Sequence, residues 1–333
     1  MKAIREVHGL RPADLNDSVL TSTEPLVLRG LVGDWPVVQA AQRSNEDLAR
    51  YLLGFWRDAS VGVMLAPPEA GGRLFYNDDL SGFNFERKLG RFDVVLNSLM
   101  QTLAQEKPPT LYIGATSVDT CLPGFHAEND LGLDVNDPIV SLWLGNRSRI
   151  SAHFDLPDNI ACVAAGRRRF TLFPPDQLDN LYVGPLDFTP AGQAVSLVDF
   201  HAPDFERFPR FREALENGLE AELEAGDAIF IPSMWWHHIE ALAPLNLLVN
   251  YWWRRTPAFM DSPVNALMLA ILTLRGLPPE QRAAWRQQFD HYIFSDADRA
   301  VAHIPEHARH ALAPLDDNGA RAMRAHLLNR LKR

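Results

Sequence analysis

Between residues 110 and 255 the chain is a succession of short apolar runs: TLYIGA (110–115), IVSLWLG (139–145), IACVAA (160–165), RFTLF (169–173), DAIFIP (227–232) and NLLVNYWW (246–253). Turn residues punctuate them, at Asn146, Gly166, Pro174-Pro175, Gly226-Asp227 and Pro244. Many short strands with such punctuation predict a mainly β sandwich, jelly roll or barrel and argue against βαβ units. Upstream, PLVLRGL predicts a strand within 25–40, followed by a turn at 33–36. Leu48, Leu52 and Phe55 at helical spacing predict a short helix over 45–57. Residues 66–90 are rich in Gly, Pro, Asp and Asn yet carry Phe75, Tyr76, Phe83 and Phe85. That mixture reads either as a loop packing its own aromatics or as a wall over a pocket. The insertion from about 176 to 222 predicts one amphipathic helix, 206–217.

After Arg255 the pattern turns helical. Ser262 is placed as an N-cap, Pro263 fits the first helical position, and Gly276 is placed to end the helix. Pro279 opens a second helix through about Tyr292, and a third is expected near 319–332. The expected division is a jelly-roll unit over 1–256, with N-terminal α/β elements, and a helical module over 257–333. The apolar stretch Ala266 to Leu274 reads equally as core or as a dimer face, and it is too short to span a membrane.

Over the 333 residues the formal net charge is −10, which disfavours a diffuse binder of nucleic acid or anionic membrane. Two cysteines, Cys121 and Cys162, are too few for a disulfide scaffold or a thiolate zinc cluster. No signal-like apolar segment opens the sequence, and the expected location is cytoplasmic.

Two short motifs carry chemistry. His153-Phe154-Asp155 would place an imidazole and a carboxylate on one face of a strand. Alone, the pair fits a solvated turn or a structural His–Asp hydrogen bond as well. Trp235-Trp236-His237-His238 follows an apolar run, and alone it fits an aromatic core with one satisfied histidine. Together they supply the parts of a two-His-one-carboxylate triad, which leaves coordination positions open and suits non-haem Fe(II). Asp155 and His237 are 82 positions apart (237 − 155), a separation that jelly-roll pairing can close.

The segments HFDLPDNIACVAAGRRRFTLFPPDQLDNLY (153–182) and GDAIFIPSMWWHHIEAL (226–242) resemble the cupin-8 group of JmjC-type Fe(II)/2-oxoglutarate-dependent oxygenases, which includes a protein asparaginyl hydroxylase. PLVLRGLVGDW (25–35) and LYIG (111–114) resemble it too, so the likeness covers roughly 25–40 and 110–255. It implies a double-stranded β-helix (jelly roll, cupin/JmjC) with flanking helices and a helical C-terminal module. It also implies His153, Asp155 and His237 as iron ligands, with His238 a neighbour, and Tyr112, Asn159, Arg168 and Asn250 around 2-oxoglutarate. Arg168 stands where the resembling hydroxylase has lysine, and Ile150 where it has a threonine that bonds the cosubstrate. A guanidinium can grip the far carboxylate of the cosubstrate, which would be costly to bury unpaired. Strand alternation puts Arg167 and Arg169 on the face opposite Arg168, and a register shift at Gly166 would exchange which arginine serves.

The activity implied is hydroxylation of a protein or peptide side chain, using Fe(II), 2-oxoglutarate and O2 and releasing succinate and CO2. The alternatives are hydroxylation of a small amino-acid-like metabolite, a redox-neutral Zn or Mn cupin, and a non-catalytic ligand-binding jelly roll. Partners expected are the substrate and a second copy through the C-terminal helices, with no nucleic acid and no membrane. Selectivity is expected from 66–90 and 115–137.

Overall fold

The computed structural model describes residues 1–133, 137–190 and 192–332. Its strands, in chain order, are β1 (Lys2–Ala3), β2 (Arg5–His8), β3 (Leu26–Arg29), β4 (Ser60–Ala66), β5 (Arg73–Leu74), β6 (Glu86–Arg91), β7 (Thr110–Ser117) and β8 (Ile139–Gly145). They continue with β9 (Ser148–His153), β10 (Asp158–Ala165), β11 (Arg167–Phe173), β12 (Leu219–Glu224), β13 (Ala228–Ile231), β14 (Trp236–Ala241) and β15 (Asn246–Trp253). The last eight form a double-stranded β-helix. Strands in the order β13-β10-β15-β8 face strands in the order β12-β11-β14-β9, and the chain passes from one sheet to the other at most of the turns between them. N-terminal strands extend both sheets, to nine strands on one side and six on the other.

Burial explains which strands were readable in advance. β10 is buried along its whole length and β15 along nearly all of it, so both are near-continuous apolar runs. β9 (SRISAH), β12 (LEAELE) and β14 (WHHIEA) do not stand out as apolar runs. Each has polar groups on one or both faces, because one face points into the sandwich and the other meets a charged layer outside it.

The inner faces of the two sheets close one part of the sandwich with a core that includes Val27, Val163, Phe170, Leu172, Ile229 and Ile231. A larger core packs the nine-stranded sheet against the helices Pro36–Arg43, Asn45–Phe55 and Phe92–Thr102 through Val38, Leu48, Leu52, Phe92 and Leu96. The expected helix over 45–57 is therefore present, with Ser44 as its N-cap. The turn expected at 33–36 runs straight into the helix that Pro36 opens. The helix expected over 206–217 covers only Phe211–Asn217. Asp204 ties up the amides of Glu206 and Arg207, and Pro209 disfavours helical backbone before it.

Outside the six-stranded sheet, Phe173 and Trp236 anchor the insertion through Phe208 and Phe211. Beside them runs a charged layer: Arg169 Nη2 lies 2.6 Å from Glu222 Oε1, and His201 Nε2 lies 2.5 Å from Glu240 Oε2. Burial works against ionisation of Glu240, but His238 and His201 outweigh it and pull the carboxyl down to about 2.

Backbone contacts divide the chain into Met1–Arg255 and Thr256–Arg333. The second unit contains the helices Pro263–Leu274, Pro279–Phe289 and Asp317–Leu331. Ser262 caps the first, as expected, but a π-turn at Asp290–Phe294 takes over where the second was expected to run on. Among the described residues no helix is long and apolar enough to cross a membrane.

The hairpin between β10 and β11 is fixed by Gly166, at φ +77°. A Cβ there would lie 2.4 Å from Asn246 Oδ1 and 2.5 Å from the Leu245 carbonyl. Asn246 Oδ1 also accepts the Arg167 amide, so the parity of the three arginines is locked at the turn. Gly166→Ala is expected to cost roughly 2–4 kcal/mol, through the left-handed backbone and the overlap together, read as a lower urea midpoint. Glu240→Gln is expected to destabilise the protein at pH 7. Because the folded-state carboxyl titrates below its unfolded value, the difference should shrink as pH falls from about 4.3 toward 2. Thermal unfolding of both proteins between pH 7 and pH 3 checks this.

Candidate active site

β9 and β14 pair antiparallel with His153 opposite His237, and their ring centroids are 4.3 Å apart. The Nδ1–H of His153 donates to the Ser151 carbonyl at 2.9 Å, and the Nδ1–H of His237 to the Trp235 carbonyl at 3.0 Å. A carbonyl can only accept, so these contacts place the proton on Nδ1 and leave each Nε2 lone pair free. Asp155 Oδ2 lies 3.6 Å from His237 Nε2. One ligand atom from each of the three residues falls within 4.8 Å of the others.

Protonation states suit metal binding. Burial, with His237 alongside, pushes the His153 imidazole down to about 4, so it is neutral near pH 7. Burial opposes ionisation of Asp155, but the contacts with His237 and His153 prevail and hold the carboxyl below its usual value. Two imidazoles with free Nε2 atoms and one carboxylate this close together fit a divalent ion with open positions. Asp155 does not reach this place by strand alternation. β9 ends at His153, and Asp155 sits in the following turn, where its carbonyl accepts the Met234 amide at 2.9 Å.

The triad opens into a cavity of about 390 Å³ between the sheets. Tyr112, Asn159, Arg168 and Asn250 all line it, as does Ile150. Arg168 is only 1% exposed, and its Nε and Nη2 have no partner. Burial lowers its pKa, and among the described residues no carboxylate pairs with it; its neighbour is the Tyr112 phenol. Arg167 is exposed and Arg169 is bound to Glu222, both on the other face. In the β11–β14 ladder Leu172 opposes His237 and Arg168 opposes Ala241. The backbones of Arg168 and His237 are thus about four residues, or about 13 Å, apart along the strands, and their side chains narrow that gap. Asn250 Nδ2 donates to Asn159 Oδ1 at 2.8 Å, and Asn250 Oδ1 has no partner.

His238 points to the opposite face, toward Glu240. Cavity-lining residues that sequence reasoning missed include Trp143, Trp252, Gln193 and Val195. Trp252 was within reach of a simple rule, since it lies two residues past Asn250 on the same strand face. Gln193 and Val195 had no signal, because they belong to the irregular insertion. Of the segments expected to set selectivity, 66–90 contributes Leu74 and the described part of 115–137 contributes Ala115; Asp134, Val135 and Asn136 lie outside the described residues. The aromatics of 66–90 act through the insertion: Phe83 stacks on Phe188 at 4.7 Å, the Tyr76 hydroxyl donates to the Phe188 carbonyl, and Arg87 donates to the Pro190 carbonyl.

Comparison with known proteins agrees with this geometry. Residues 12–259 match the family model of the cupin-like domain. Lysine-specific demethylase 8 of Xenopus tropicalis is 26% identical over 254 residues, which is 75% of this chain and 53% of that protein. JmjC domain-containing protein D of Dictyostelium discoideum is 27% identical over 253 residues, 70% of this chain and 53% of its own. The tRNA wybutosine-synthesizing protein 5 of Mus musculus is 27% identical over 169 residues, 46% of this chain and 48% of its own. The chain thus spans about half the length of these relatives. With both ligand-bearing segments, the hairpin at Gly166 and the whole β-helix inside the matched region, the chain belongs to the cupin-like domain family.

Proposed function

We propose that this protein is an Fe(II)- and 2-oxoglutarate-dependent oxygenase that hydroxylates a protein or peptide side chain. The observation that carries the reading is Arg168: a guanidinium buried without an acidic partner among the described residues, in the same cavity as two histidines and a carboxylate. A buried charge is costly until something of opposite sign meets it. A dicarboxylate that reaches from the triad to Arg168 supplies that charge. His153, Asp155 and His237 would hold the iron, Arg168 would grip the far carboxylate bidentately, and Tyr112 would donate to it. The Asn159–Asn250 pair leaves one acceptor open beside the metal site. With an Fe(II) ion, one aspartate, the dianion and Arg168 the charges cancel, so the loaded cavity is neutral. When bound, Fe(II) and 2-oxoglutarate supply O2-dependent oxidation of a C–H bond, with succinate and CO2 as coproducts. Trp143, Trp252 and the insertion then exclude water and place the substrate.

The relatives named as demethylases and as a JmjC protein support this chemistry, and the net charge of −10 favours a protein or small-molecule substrate over a polyanion. The test is an anaerobic titration of metal-free protein with Fe(II) and 2-oxoglutarate, following the visible charge-transfer band of the chelated 2-oxo acid. A saturable band is expected, absent in His153→Ala and shifted to at least about tenfold higher cosubstrate in Arg168→Ala. A protein that binds iron but gives no band returns the site to redox-neutral Zn or Mn chemistry.

We also propose that a second copy of the chain covers the unit Thr256–Arg333. Its helix Pro263–Leu274 (PVNALMLAILTL) has no buried residue, and Leu272 and Phe294 are each 75% exposed. That much exposed apolar surface marks an interface. Sedimentation velocity should find a dimer, and Leu272→Asp with Phe294→Asp should give a monomer; a monomeric parent protein would refute the proposal.

A further inference from the structure

The strand ladder fixes His153 against His237, but Asp155 lies beyond it and needs another support. Three hydrogen bonds join its turn to the turn ahead of His237. The Met234 amide donates to the Asp155 carbonyl at 2.9 Å, the Ser233 hydroxyl to the Leu156 carbonyl at 2.5 Å, and the Ser233 amide to Asp158 Oδ1 at 3.0 Å. Met234 sits at φ +70°, a left-handed backbone that a side-chain-bearing residue holds only when its surroundings fix it. Asp158 accepts the amide of the preceding residue, Ser233. Its carboxylate is 2% exposed and receives Arg255 as well, with Nε at 2.7 Å from Oδ2 and Nη2 at 3.1 Å from Oδ1. A bidentate guanidinium locks the carboxylate in one orientation, with Oδ1 also accepting the Ser233 amide.

We propose that Asp158 is a positioning residue for the metal ligands, with Arg255 as its orienting partner. Acting through Ser233 and Met234, it sets where Asp155 stands relative to His237. This rests on the reading of His153, Asp155 and His237 as the metal site. The bonds point to this role more than to general stability: they run into the two ligand-bearing turns, and Asp158 supplies the anchor only at the end of β10 that adjoins them.

The test uses full-length metal-free protein and Co(II), whose d–d absorption reports coordination number and geometry. The variants are Asp158→Ala, Asp158→Asn, Arg255→Ala, Arg255→Lys and His153→Ala, with circular dichroism and thermal unfolding of each metal-free protein. Asp158→Ala and Arg255→Ala are expected to bind Co(II) about 10–100-fold more weakly, as loss of a support behind a metal ligand does, and to show an altered d–d band. Asp158→Asn, which keeps an acceptor for Ser233 but loses the ion pair, should fall between them and the parent, and Arg255→Lys should regain part of the affinity. A purely structural role would lower the unfolding temperature and leave the band of the folded variants as in the parent, and that result overturns the proposal. If the Asp158 variants do not fold, Arg255→Ala, at a side chain 47% exposed, decides in the same way. Failure of the metal reading has its own signature: a parent protein that binds no Co(II), or a His153→Ala that binds it equally well, which removes this inference too.

Discussion

An arginine held in the interior with no carboxylate among the described residues to meet it is the constraint on which the arrangement of this sandwich turns. Arg168 can point inward only because Gly166 fixes the parity of β11 and Asn246 holds the hairpin in register. Its buried charge favours an anion in the cavity, and the cavity also contains the triad. Burial acts on the two ends in complementary ways. It keeps His153 neutral, fit to donate a lone pair, and it raises the cost of leaving Arg168 unmatched, which strengthens its attraction for a dicarboxylate.

The legibility of the sequence follows the same line between apolar and polar faces. β8, β10 and β15 carry enough apolar residues to stand out as strands, and their limits were read closely. β9 and β14, which bear the histidines, hide because their inner faces carry ligands and their outer faces carry Arg149, His238 and Glu240. The motif His153-Phe154-Asp155 was visible, but the reason for its convergence was misjudged: a turn held by the Met234 amide does what strand alternation was expected to do. The seven residues expected around iron and cosubstrate were picked out through family resemblance, and the structure places all seven on one cavity. The tryptophans and the insertion residues were not, because nothing local marks an irregular segment as a wall until the fold brings it over the opening.

The sandwich therefore has two kinds of interior. One part is closed by interdigitating aliphatic side chains, which set the spacing of the sheets. The other is lined by polar groups, among them Arg168 and Asn250, that keep unpaired hydrogen-bonding atoms. The charged layer behind the six-stranded sheet backs the strand that carries His237: His201 meets Glu240 there, and the His238 ring lies 3.7 Å from the same carboxylate.

The roof over the opening has a different origin from the walls. Phe188 and Pro190 are held by Tyr76, Phe83 and Arg87, so at this point two irregular segments are fastened to each other. Each segment is also tied to β9, through the pairing of β5 and through the Ser196 amide on the Ala152 carbonyl, so a substitution in the roof is closest to the triad where those ties lie and farthest from it at the clasp. In such a molecule the wall and the metal-ligand geometry answer to different contacts: paired strands hold the triad, while a clasp between two loops shapes what can reach it.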